Sequence, residues 1–285
     1  MTGSGVTGID SMIENEHARA LGPFVLARPL EPSPFGERWL ARHGESHSDW
    51  TLHAFGPLMD KRERVMVLSW LETMESVRHA HLPQIRRETE PGSGRVWAAE
   101  PFLGNEDGLL SLARLVELKG GRMPPHEVGR AMTHVLDGCR FAHDHGFCHG
   151  VIGWNELLVD RHGSITIDLY GLRRRLDGLL TSDREVVRDE VRSVAMIGYR
   201  ALTGLEAEEP RIRAARLVRR LDRAWDEWFE AALDPAGGFE SASAAIEALP
   251  TAMREAETES RPSAALAVLN RLRTAWSSSS TPVQD

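Results

Sequence analysis

Apolar, aromatic and β-branched residues come in short bursts over the first hundred positions and in longer, helically spaced stripes after them. "PFVLARPL", "ERWLARH" and "DWTLHAF" are such bursts, separated by the turn-forming "EPSPFG" and "GESHS", and they predict three strands of a meander. From Met59 to Val77 the spacing changes: Val65, Leu68, Leu71, Met74 and Val77 recur every three residues, which predicts one helix. "HLPQIRRE" and "RVWAAEPF", split by "TEPGSG", predict a β-hairpin.

The remainder reads as mostly helical. "PPHEVGRAMTHVLDGCRFAHDHG" opens with prolines suited to a first turn and ends at Gly146, a C-terminal cap. "LLVDRHGSITIDL" predicts a small hairpin around "DRHG". "DEVRSVAMIGYRALTG" is apolar on most sides and closes at Gly204, so it predicts a buried helix. "RRLDRAWDEWFEAALDP" and "FESASAAIEALP" predict two more. Residues 1–20 are small, polar and acidic without a period, and disorder is expected there. In 251–285 a stripe of Leu266, Leu269, Leu272 and Trp276 predicts a helix packed on its own domain, ahead of a flexible "SSSSTPVQD". No internal repeat occurs.

At 285 residues the chain suits one large domain or two small ones with a real core. Hydrophobic content of 41% and charged content of 27% are ordinary for a globular protein. A formal net charge of −8 gives no electrostatic reason to expect nucleic acid or an anionic membrane as partner. No apolar run approaches the roughly 20 residues that span a bilayer. The opening "MTGSGVTGIDSMIENEHARA" has neither a basic cluster nor an apolar core, and a cytoplasmic location is expected. Cys139 and Cys148 lie close together on a helix and the turn after it, so both are expected to be reduced. Lys61 and Lys119 are the only lysines, which limits where an essential lysine could sit.

The densest chemistry lies in "FAHDHGFCHGVIGWNELLVD", where His143, His145, Cys148 and His149 fall within seven positions. A zinc site draws three or four ligands to one tetrahedral point, usually from two separated pairs. Here the candidates share one run, and His143 and His145 leave a helix end in different directions. Core or turn histidines with satisfied hydrogen bonds are expected, and no metal.

The same stretch, continued to "FAHDHGFCHGVIGWNELLVDRHGSITIDLYGL", resembles the catalytic segment of the bacterial Ser/Thr protein kinases, in which H-R-D-x-x-x-x-N leads through a hairpin to D-F-G. "LEPSPFGERWLARH" is similar to the glycine-rich loop with its flanking strands, "VRHAHLPQI" to the turn after helix C, "WAAEPFLG" to the hinge, and "EVRSVAMIGYRALTG" to the long buried helix of the large lobe. "LDPAGGFESA" is similar to the segment before the last helix. The resemblance implies an α+β, two-lobed protein-kinase-like fold over about 21–250. A small antiparallel sheet with one helix would form the N-lobe (about 21–100) and a mainly helical C-lobe would follow (about 101–250).

It also implies where catalytic groups should stand. Phosphoryl transfer needs backbone amides and a lysine on the phosphates, magnesium on an Asp and an Asn, and an Asp to orient the attacking hydroxyl. The three loop glycines fall on Glu31, Ser33 and Gly36, with Pro32 and Pro34 offering no N–H and Glu31 adding negative charge. The residue that roofs the adenine becomes Arg38. The strand-three lysine falls on His53 and its helix C glutamate on Trp70, so both halves of a buried ion pair are replaced together. In the catalytic loop His149 keeps its place, whereas Gly150, Val151 and Gly153 stand at the Arg, Asp and Lys positions. The Asn position is Glu156, with Asn155 one residue early. The D-F-G Asp position is Leu169, with Asp168 one residue early, and alternation along extended chain is expected to turn Asp168 away from a metal unless a bulge corrects it. Only eighteen residues separate Gly171 from Glu190, at the Asp position of the buried helix, and the arginine that anchors a full activation segment falls on Gly238.

The implied function is that of a pseudokinase, a non-enzymatic module in signalling that binds a protein partner such as an active kinase, with no cofactor. The cleft of Arg38, His53, Trp70 and Asp168 and the stripe ending at Trp276 are the candidate surfaces. Residual cleft residues are Gly36, Arg38, His53, Glu100, His149, Asn155, Glu156 and Asp168. An alternative is an atypical phosphotransferase or nucleotidyltransferase that binds ATP and magnesium through Asn155, Glu156 and Asp168. A third reading is a nucleotide-sensing switch without catalysis, in which small Ala99 before Glu100 leaves room for an adenine, although Arg38 crowds the pocket and Pro101 removes one hinge N–H.

Overall fold

The computed structural model describes residues 20–55, 60–90, 95–179 and 183–250. The expectations of disorder before residue 20 and of a helix ending at Trp276 lie outside the described residues. The three predicted strands are β2 (Phe24–Ser33), β3 (Gly36–His43) and β4 (Asp49–Phe55), and the predicted hairpin supplies β5 (Arg86–Thr89) and β6 (Val96–Pro101). With β1 (Ala20–Leu21), two residues too short to leave a pattern, they form an antiparallel sheet in the order β1-β2-β3-β4-β6-β5. Alternation splits the sheet into two faces. Phe24, Leu26, Leu52, Ala54, Trp97 and Ala99 belong to a small core on one face. His53, Phe55, Ala98 and Glu100 point the other way, toward the rest of the molecule.

That second face is covered by α1 (Lys61–Met74), started by Asp60, whose carboxylate accepts from the Glu63 N–H. Its buried face is Val67, Trp70, Leu71 and Met74, and Val65 is exposed. The every-third stripe is therefore corrected: three residues turn a helix by about 300°, so a strict i+3 series walks off the core, whereas i, i+3, i+4, i+7 stays on it.

The larger lobe is helical, with α2 (Leu112–Leu118), α3 (Pro125–Asp144), α4 (Leu172–Leu176), α5 (Arg184–Thr203), α6 (Ala214–Leu217), α7 (Ala224–Ala232) and α8 (Ala242–Glu247) around the hairpin β7 (Leu157–Val159) and β8 (Ile165–Ile167). α3 has proline in its first turn and Gly146 just past its end at φ +79°. α5 is capped by Asp183, ends at left-handed Gly204 and is buried on most sides. α3 and α5 meet at Gly198, where a Cβ would run into Met132. α2, α4 and α6 span seven residues or fewer, too short for a recognisable period. Cys139 and Cys148 are free and buried, and burial pushes both thiols up, Cys148 to about 11. Among the described residues no helix is long and apolar enough to cross a membrane.

The segment after α1 fastens the lobes. Val77, Leu82 and Ile85 are buried in the large core, the His81 ring Nδ1 lies 2.8 Å from the Ile165 carbonyl, and that ring stacks on His134 at 4.3 Å. His134 is pushed down from 6.5 to about 4 by burial and then by the charges of His81 and Arg130, against the opposing effect of Asp137. Between these values the unfolded chain binds a proton that the folded chain refuses, so stability falls as pH falls from about 6.5 to 4. Denaturant unfolding at pH 7 and pH 4.5 is expected to show a smaller acid loss for His134→Gln than for the wild type; equal losses would contradict this origin.

Candidate functional site

Arg38 on β3 stands directly across from His53 on β4, and Glu100 lies one diagonal step away on β6. Sheet alternation thus puts three polar side chains on the face that looks at the large lobe. His53 Nε2 and Glu100 Oε1 are 2.8 Å apart and almost wholly buried. Asp168 arrives from the end of β8, with its Oδ2 3.1 Å from Arg38 Nη2. Burial raises the Asp168 carboxyl above the usual range, opposed by the charges of Arg38 and His53 and reinforced by Glu100 and Glu156.

The position of Asp168 corrects the sequence expectation. Ile165 and Ile167 face the core, so alternation already sends Asp168 to the opposite side, into the cleft. Leu169 then takes a left-handed backbone at φ +44°, which an L side chain adopts at a cost of roughly 1–3 kcal/mol, and its side chain is buried in the core. The residue at the D-F-G Asp position is a packing residue; the carboxylate before it is the polar one.

His53, Glu100 and Asp168 bring one ligand atom each to within 4.8 Å of one another, a donor set that suits a divalent transition metal. Arg38 already supplies a cation against Asp168, and Glu100 is hydrogen-bonded to His53. Asn155, Glu156 and Asp168, the metal set suggested by sequence, all line the space between the lobes, but the Glu156 carboxylate is committed locally. The Glu156 carboxylate folds back to accept from the Gly153 N–H at 2.6 Å and lies 3.3 Å from His149 Nε2. Burial alone would raise Glu156, but His149 and the Gly153 N–H outweigh it and hold the carboxyl below its usual value.

A second network ties the lobes together. The Trp70 indole donates to the Tyr170 carbonyl at 2.7 Å, and the Tyr170 hydroxyl donates to Glu190 Oε1 at 2.5 Å. Glu190 Oε2 accepts from the backbone N–H groups of His149 and Gly150 at 2.7 and 2.8 Å, and His149 Nδ1 accepts from the Gly171 N–H at 3.0 Å. Glu190 is fully buried. Burial alone would raise its carboxyl, but His143, His149 and the Tyr170 hydroxyl outweigh it, so the group is held below the usual value. Burial and then the Glu190 charge push the Tyr170 phenol well up. Sequence reasoning placed Glu190 without seeing this role; the available signal was a carboxylate on the same helical face as Val187, Val191 and Val194. His145, by contrast, turns back to stack on Phe141 at 4.1 Å, apart from His143.

Between the lobes lies a cavity of about 1000 Å³. Of the sequence candidates, Arg38, Asn155, Glu156 and Asp168 line it, and Gly36, His53, Glu100 and His149 do not. The β2–β3 hairpin forms its roof. There Phe35 N–H is spent on Ser33 Oγ at 3.2 Å, Gly36 takes φ +143°, and the Phe35 ring sits under the Arg173 guanidinium at 4.9 Å.

These elements can be compared with known proteins. No protein-family model matches the chain. The kinase domain of Mycobacterium tuberculosis PknI superposes with a TM-score of 0.63 at 18% identity, covering 84% of this chain and 98% of that one. The chain has a protein-kinase-like fold. Among curated proteins, CBL-interacting protein kinase 17 of Oryza sativa subsp. japonica is 23% identical over 163 residues, 56% of this chain and 35% of that protein. Mitogen-activated protein kinase kinase kinase 20 of Arabidopsis thaliana is 38% identical over 78 residues, 27% of this chain and 23% of that protein. The chain therefore spans about a third or less of these two relatives. Its sequence relatives are protein kinases by name, and Val151, 71% exposed, lies in the middle of the connection between α3 and β7.

Arg38→Met would leave Asp168 buried without its cation and is expected to lower stability by about 3–5 kcal/mol. Adding Asp168→Leu should recover most of that loss in denaturant unfolding. A double variant as unstable as the sum of the singles would contradict the pairing.

Proposed function

We propose that the chain is a pseudokinase, a kinase-like domain that transfers no phosphate and serves as a binding or regulatory module in signalling. The observation that carries this reading is Val151, 71% exposed where the resemblance puts the catalytic carboxylate. An aliphatic side chain neither accepts nor orients a proton. The residues present also fit magnesium–ATP poorly. Pro32 and Pro34 give the roof no N–H for phosphate, Asp168 is engaged by Arg38, and Glu156 is folded back on Gly153 and His149.

The expected partner is a protein, an active kinase among the candidates, met in the cytoplasm. His53, Trp70 and Asp168 are at most 6% exposed, so the docking surface suggested from sequence moves elsewhere. Leu179, Leu205 and Ile212, each more than two-fifths exposed, are better suited to contact.

One observation favours a second reading. Asp168 does face the cleft, and the matched relatives are named as kinases, which supports an atypical phosphotransferase working through that carboxylate. Radiolabelled ATP with magnesium or manganese separates the two. The wild type is expected to incorporate no more label, into itself or a general protein substrate, than Asp168→Asn does. Label that appears in the wild type and vanishes in the variant would establish the second reading.

A further inference from the structure

Charge is unevenly placed along this chain. Its formal net charge is −8, yet "RIRAARLVRRLDR", residues 211–223, holds six arginines against one aspartate. The run is folded against α5, where the Tyr199 hydroxyl donates to the Ile212 carbonyl at 2.6 Å, and is closed by the Ala215 N–H donating to Asp226 Oδ1 at 3.2 Å. Its apolar positions turn inward: Ala214 is buried, and Val218 and Leu221 pack against the large core. Arg213, Arg216, Arg219, Arg220 and Arg223 are left exposed.

The neighbouring acids do not neutralise them. Asp222 and Asp226 accept from the backbone N–H groups of Ala224 and Ala215, and Glu209 and Glu230 pair with Arg211 and Arg213. Among the described residues the guanidiniums of Arg216, Arg219, Arg220 and Arg223 have no carboxylate partner. Like charges gathered this closely repel one another, and carboxylates brought by a partner would relieve that. Arg220 also holds a left-handed backbone, φ +61°, which glycine would adopt at less cost. Beside the arginines stand Ile212, 45% exposed, and Leu205, 41% exposed. Both are pinned to the end of α5, Ile212 by Tyr199 and Leu205 by an N–H donated to Thr203 Oγ1 at 3.2 Å.

We propose that this corner docks an acidic segment of a partner protein. Its Asp or Glu carboxylates would meet Arg216, Arg219, Arg220 and Arg223, and an aliphatic side chain of the same segment would pack on Ile212 and Leu205. A guanidinium matches a carboxylate with two parallel hydrogen bonds. Nucleic acid is the weaker fit, because its backbone has no use for the aliphatic pair and the net negative charge of the chain repels a long polyanion. Trp225, Trp228 and Phe229, which follow the run, are buried and offer no face for a base to stack on. The inference rests on the reading of the chain as a binding module and names the chemistry of its partner.

Fluorescence anisotropy of the full chain with a labelled glutamate-rich peptide, leucine at every fourth position, tests it beside a lysine-rich peptide of the same design. The glutamate peptide is expected to bind, more weakly as salt rises, and the lysine peptide to remain free. Arg216→Glu with Arg219→Glu should weaken the glutamate peptide at least about tenfold at unchanged Tm, since both side chains are exposed. Arg220→Gly should weaken binding while raising Tm, a combination that a purely structural arginine would not give. Peptide binding that survives the double charge reversal would overturn the inference. So would displacement of the peptide by single-stranded DNA, or by phosphatidylserine–phosphatidylcholine vesicles, at lower concentration than by the unlabelled peptide. Absence of peptide binding would also overturn it, leaving the pseudokinase reading intact. Phosphate transfer from ATP to a serine placed in the same peptide would overturn that reading, while the anisotropy still scores the docking.

Discussion

The hydrogen bond from the Trp70 indole to the Tyr170 carbonyl holds α1, and with it the small lobe, against the large one. A buried indole N–H needs an acceptor, and this one finds it on the segment whose next atoms are themselves fixed. The Tyr170 hydroxyl reaches Glu190 on α5, and Glu190 gathers the backbone of His149 and Gly150 on its other oxygen. Two other stretches of chain therefore meet this buried carboxylate of α5, and α1 is tied to one of them through Trp70. Backbone N–H groups and the Tyr170 hydroxyl satisfy it, with the His143 ring 3.3 Å away, so every group at this joint comes from the chain itself.

The same economy of charge runs through the cleft. The resemblance puts a lysine at His53 and its glutamate partner at Trp70, and both are replaced. Each replacement has a partner of its own, Glu100 for His53 and Tyr170 for Trp70. Arg38, where a small residue would roof an adenine, turns to Asp168 and neutralises the carboxylate that enters the cleft. A cavity lined by apolar residues and by more carboxylates than guanidiniums lies beside this pair.

Much of the fold was legible in the sequence because its elements are long and regular. The bursts that became β2, β3 and β4, the helix that starts at the second of the two prolines Pro124 and Pro125, and the buried helix closed by Gly204 all follow from spacing and caps. The site was legible only in part. Spacing located His53, Trp70, Val151 and Asp168, but it misjudged where Asp168 points: alternation from Ile165 and Ile167 carries it into the cleft, and the left-handed turn that buries Leu169 has no glycine to announce it. The pairing of Arg38 with Asp168 depends on strand register across the lobes, and the folding back of Glu156 depends on a local turn. Neither leaves a periodic trace in the chain.

The central claim is that the joint between the lobes is complete without a ligand. Hydrogen exchange of the Trp70 indole, assigned among the eight tryptophans by comparison with Trp70→Phe, tests this most directly. The account predicts slow exchange in the protein alone, near the rate set by global unfolding, and no change on adding magnesium–ATP. Fast exchange in the free protein, or protection that appears only with magnesium–ATP, would contradict it.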